Sequence, residues 1–153
     1  MNKLIFFFLI FSLYVTSVYS DIIKPNTKIE PYNVVEIQLI SLKNNDKPDK
    51  DFGIEQTWEF AHPENKINTG PLNNFKKMLK NEIYSILLNH KDHKIEEIYN
   101  NKKIAIYDVI ILGSDNFYYE FKWQVERYDG KGSLNNCWLT TAVSNPVSLG
   151  ASI

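Results

Sequence analysis

Residues 90–93 read His-Lys-Asp-His, which places two imidazoles and a carboxylate in one short stretch. Zinc would need at least a third protein ligand at about 2.0–2.1 Å. His62 is the only other histidine in the chain. A solvated polar loop explains the motif more simply, so neither a metal nor another cofactor is expected. His62 stands before Pro63, with Glu64 two positions on. As the side chain that titrates nearest neutral pH, it is a candidate general acid or base. Asp108, a carboxylate in an otherwise apolar run, is the second candidate. A working site also needs a partner to orient the group and a place for charge to develop, and neither can be read from these residues. Cys137 is the sole cysteine, so no intrachain disulfide forms. It would act as a nucleophile only with its pKa depressed by a cation or a helix N-terminus. It lies in a strand-like run that offers neither, which points to a buried thiol.

The aromatic residues are the stronger lead. Trp58, Tyr119, Phe121, Trp123 and Trp138 are expected to face one inner volume. Most should fill a core, but tryptophan and tyrosine bring N–H and O–H groups that need partners when buried. A partly open apolar pocket with a few polar tips is the usual form of a small-molecule site. Trp58, Tyr119, Trp123 and Trp138 are therefore the candidate ligand-binding residues.

Three or four helices must position them. Pro31 suits a first helical turn, and Val35, Leu39 and Leu42 recur on one face until Asn44 and Asn45. Ile54, Thr57, Trp58 and Ala61 have the spacing of a second, short helix. Pro63 should end it, because the residue before a proline is driven out of the α region. Gly70-Pro71 opens a third helix whose apolar stripe is Leu72, Phe75, Met78 and Leu79. Ile83, Ile86 and Leu87 suggest one further helical piece.

The period then changes to two. Lys103–Leu112 is rich in β-branched residues and ends at Gly113. In the next run Phe117, Tyr119, Phe121, Trp123 and Val125 alternate with Tyr118, Glu120, Lys122, Gln124 and Glu126. Such alternation describes an antiparallel strand with one face packed and the other wet. Asn136–Ser144 reads as a last strand stopped by Pro146, and a weaker strand is expected through Lys94–Tyr99. Helices first and strands after is an α+β arrangement, with helices on one face of a curved antiparallel sheet of three to four strands.

Residues 1–20 stand apart. Lys3, the apolar run Leu4–Leu13 and small residues up to Ser20 have the form of a cleaved signal peptide, which sends the chain to the secretory pathway. Residues 21–30 read as a leader, 31–148 as one domain and 149–153 as a tail. No later run is apolar enough to span a bilayer, so no membrane span remains after cleavage. The net charge of −1, with lysines interleaved among acids, excludes nucleic acid as a natural partner.

Trp58, Phe60, Ala61, Pro63, Asn65 and Lys66, followed by Thr69-Gly70-Pro71, Phe75 and Met78, form an extended motif. Tyr84, Leu87-Leu88 and His90 continue it, and Cys137-Trp138, Thr140, Val143 and Pro146 close it. In these residues the chain resembles the uncharacterised domain of unknown function 4864 family. It departs from the family pattern at Asn136, where glycine often precedes Cys-Trp, and in the long hairpin around Asp129–Asn136. The resemblance implies a nuclear-transport-factor-2-like, or cystatin-like, fold, in which a curved sheet wraps helices around a conical pocket. It brings no catalytic residues with it. The expected function is a secreted, non-enzymatic module that binds an apolar small molecule in the pocket or pairs with a second copy through the sheet. The alternative is a small hydrolase or isomerase using His62 or Asp108.

Overall fold

A computed structural model describes residues 21–152. The signal peptide inferred for residues 1–20 lies outside the described residues. Helix α1 (Pro31–Lys43) begins at its proline and buries Val34, Val35, Gln38, Leu39 and Leu42. The Asn44 side chain closes it by donating to the Ile40 carbonyl at 3.0 Å. Helix α2 (Phe52–Glu59) packs across α1 at Gly53, whose N–H donates to the Asn45 carbonyl at 2.9 Å. Residues 21–30 are less separate than a leader would be. Ile23 exchanges two hydrogen bonds with the buried Gln56 amide, at 2.7 and 2.8 Å, and so pins this segment to α2.

Pro63 does more than end a helix. It is also the first residue of α3 (Pro63–Thr69), a helix the apolar pattern does not announce because it buries no side chain. His62 caps it, its Nδ1 accepting from the Glu64 N–H at 3.2 Å. Helix α4 (Leu72–Leu79) follows Pro71 and buries Phe75 and Leu79, and a 3₁₀ turn (Ser85–Leu87) leads into the sheet.

The sheet has five antiparallel strands rather than three to four. Strands β1 (Asp92–Asn100), β2 (Ile104–Leu112), β3 (Phe117–Arg127) and β4 (Trp138–Val143) lie in that order, and β5 (Val147–Ala151) pairs with β3. The alternation of β2 and β3 decides which face is packed. Ala105, Tyr107, Val109, Ile111, Phe121, Trp123 and Val125 face the helices and are buried with Val34, Leu39 and Leu42. The expected tail is a strand instead. Pro146 lies in the bend between β4 and β5, so β4 follows the C-terminal half of β3 and β5 its N-terminal half. Register shifts after Gln124 and Tyr118 are the irregularities that bend a sheet of this size. Among the described residues, no helix is long and apolar enough to cross a membrane.

Candidate functional site

Between the helices and the packed face of β3 and β4 is a partly open cavity of about 270 Å³. Its inner end is polar but self-contained. Gln38, on the apolar stripe of α1, is 1 % exposed. Its Nε2 donates to the Thr57 carbonyl at 3.0 Å. Its Oε1 accepts from the Trp123 indole at 3.1 Å and from the Thr140 hydroxyl at 2.6 Å. The Thr57 hydroxyl donates to the Gly53 carbonyl at 2.8 Å. One amide thus ties α1 to α2, β3 and β4, as buried polar groups require.

The walls are apolar, with Trp58 and Phe75 packed at 4.9 Å between ring centroids. Toward the opening, Asn65 and Thr69 lie one turn apart on α3, and Tyr84 stands across from them beside Val143. Asn65 Nδ2 donates to the Thr140 and Thr141 carbonyls at 3.2 and 2.8 Å and holds α3 against β4. The Tyr84 hydroxyl reaches the Val143 carbonyl at 3.3 Å. Among the described residues, the cavity lining contains no Asp, Glu, Lys, Arg, His or Cys.

Comparison with protein-family models, curated proteins and solved structures gives no match. The site is therefore read from its own geometry.

Trp58 and Trp123 line the cavity, as the aromatic pattern suggests. The other two expected ligand-binding residues do not. Trp138 pairs with Arg127 at the far end of β3 and borders a separate polar hollow with Lys102 and Glu30. Tyr119 sits near the opposite end of that strand, where its hydroxyl donates to Asp115 at 2.6 Å. Strand parity puts Tyr119 and Trp123 on one face of β3, but their separation along it carries Tyr119 away from the cavity. Trp138 begins β4 opposite Arg127, at the end of β3 away from Tyr119.

Neither acid–base candidate reaches the cavity. His62 is committed to capping α3, and its ring stands edge-on to Tyr128 at 5.4 Å. Asp108 lies on the outer sheet face, where Lys122 holds it in an ion pair at 2.6 Å. Cys137 is buried, and burial pushes its thiol above the ordinary value. This opposes thiolate chemistry. Gln38 was not singled out from the sequence, and Asn65, Thr69 and Tyr84 entered only as residues of the family-like motif and not as cavity residues. Gln38 carried a usable signal: an amide among Val34, Val35, Leu39 and Leu42 must find buried partners.

The His90–His93 motif is a hydrogen-bonded pair rather than an exposed loop. His90 is 2 % exposed, with Nδ1 at 2.7 Å from the Leu87 carbonyl and Nε2 at 2.8 Å from His93 Nδ1. The carbonyl accepts only from Nδ1–H, so His90 Nε2 accepts and His93 Nδ1 donates. Among the described residues, no group of three or more His, Cys, Asp or Glu side chains is placed to hold a metal. Burial pushes the His90 imidazole down to about 4, and burial with the nearby Lys43 charge lowers His93 as well. A folded pKa below the unfolded value means the fold favours the neutral ring. That stabilisation is complete above pH ~6.5 and is lost as pH falls toward the folded value. Going from about pH 7 to about pH 5 should remove about 2 kcal/mol through His90. Urea unfolding at the two pH values measures the loss, and the His90 ring proton in NMR should not titrate in that range. Equal stabilities, or a His90 midpoint near 6.5, would contradict this account.

Proposed function

We propose that this chain is a non-enzymatic binding module of the secretory pathway, which holds a small apolar molecule in the cavity lined by Trp58 and Trp123. One observation carries the reading. The cavity is roomy and apolar, and among the described residues its lining holds no carboxylate, amine, imidazole or thiol. That favours binding over the hydrolase or isomerase alternative, since His62 and Asp108 are engaged elsewhere. The resemblance to the domain of unknown function 4864 family and a nuclear-transport-factor-2-like fold belong to the same proposal, although that fold hosts enzymes as well as binders. Residues that carry the resemblance, Trp58, Asn65, Thr69, Tyr84, Thr140 and Val143 among them, gather at this cavity. Fold likeness alone would not name a function.

An engineered cavity of roughly 150 Å³ holds benzene, so about 270 Å³ suits a ligand of about ten non-hydrogen atoms. Naphthalene is a neutral probe of that size. At a concentration about tenfold above its Kd it should raise the melting temperature by about 4 °C, since a ligand that binds only the folded state stabilises it. Val143→Phe places a larger side chain at the opening and should abolish the shift. An unchanged melting temperature in the wild-type protein, or an equal rise in the variant, would sink the reading.

A further inference from the structure

We infer that the ligand is an uncharged amphiphile of medium-chain alcohol type, seated with its apolar tail inward and its hydroxyl at the Asn65–Thr69 opening. This inference rests on the binding reading above and specifies what the same cavity selects. Three features of the cavity lead to it.

The first is charge. Among the described residues, no carboxylate, amine, guanidinium or imidazole lines the walls. An ion drawn into such a site would lose its hydration without a counter-charge, whereas a neutral molecule would not. Lys66, which follows Asn65 on α3, is a cation beside the cavity wall at Trp58. Its Nζ lies 5.4 Å from the Trp58 ring centroid and donates to the Glu59 carbonyl at 3.3 Å, so it is already engaged. Burial also lowers the Lys66 amine below its ordinary value.

The second feature is direction. The polar atoms at the inner end satisfy one another through Gln38, Thr57, Trp123 and Thr140. A hydroxyl driven inward would have to compete with those bonds, whereas a hydrocarbon tail would not. At the opening the position is reversed. Asn65 uses its Nδ2 to hold β4, and among the described residues no hydrogen bond occupies its Oδ1 or the Thr69 hydroxyl. A ligand O–H can donate to the first and accept from the second.

The third feature is size, for the volume matches a chain of about ten carbons.

The test is calorimetric titration of the full chain near pH 8 with 1-decanol, decanoate, decylammonium and decane. At that pH both ionic probes are fully charged. Decanol should bind at least thirtyfold more tightly than either ion and about fivefold more tightly than decane. Thr69→Val should remove most of the advantage over decane and leave decane binding unchanged. Decanoate or decylammonium within threefold of decanol would overturn the inference while leaving the binding reading intact. Decane equal to decanol would overturn the assignment of the hydroxyl to the opening. Failure of all four probes would overturn the binding reading, and this inference with it.

Discussion

Gly53→Ala lowers the stability of the folded chain by about 3 kcal/mol or more, as expected when a core is overpacked against backbone. A Cβ built on Gly53 meets the Ser41 carbonyl oxygen at 2.1 Å, the Ser41 carbonyl carbon at 2.7 Å and the Asn45 Cα at 2.9 Å. All three atoms are main chain, so no flexible side chain can move aside. In an exposed helix the same change would gain about 1 kcal/mol, because alanine is the better helix former. The contact must outweigh that gain, since α1 and α2 have to part to make room. Their separation would also move Gln38 and Thr57 apart at the inner end of the cavity. Denaturant unfolding of the variant measures the effect, and a variant as stable as the parent would refute this packing.

Gln38→Leu has the second large effect. Leucine fills much of the amide's space but removes the Gln38 bonds to the Thr57 carbonyl, the Thr140 hydroxyl and the Trp123 indole, leaving the carbonyl with the Phe60 N–H at 3.2 Å and the hydroxyl with the indole at 3.3 Å. Three buried hydrogen bonds at about 1 kcal/mol each put the loss at about 3 kcal/mol in total. For a chain of this length that is a fall of about 10 °C in Tm. The network origin is separable from simple loss of packing. In a double-mutant cycle with Trp123→Phe, the combined loss should fall short of the sum of the single losses. Additive losses would mean that the amide and the indole are not coupled.

The α+β arrangement was legible because strands and helices leave different periods. Lys122 and Gln124 alternate with the buried Phe121, Trp123 and Val125, and that alternation marks the packed face of β3. Two elements left no such trace. Helix α3 buries no side chain and is held by its His62 cap and by Asn65 donating to β4. Strand β5 is mostly exposed and exists through backbone pairing with β3. Hydrophobic pattern cannot report elements that main-chain hydrogen bonds hold in place.

The candidate site was half legible for a related reason. Parity along a strand says which face a residue shares, whereas the cavity occupies one stretch of that face. Tyr119 and Trp123 are four residues apart on β3, which is about 13 Å. Of the two, only Trp123 lines the cavity. Gln38 was recoverable as a polar residue in an apolar stripe. Asn65, Thr69 and Tyr84 stood together in the family-like motif, but only the tertiary fold brings α3 and the start of the 3₁₀ turn to one opening.

The three tryptophans give the most direct measurement of the central claim, that the cavity beneath α2 and α3 binds a neutral apolar molecule. Trp58 and Trp123 line that cavity, and Trp138 borders a different hollow. A two-dimensional proton–nitrogen NMR titration with naphthalene resolves all three indole N–H signals at once. The Trp58 and Trp123 signals should move in a saturable way, and the Trp138 signal should stay where it is. Movement of Trp138 alone, or three signals unmoved at the solubility limit of naphthalene, would contradict the account.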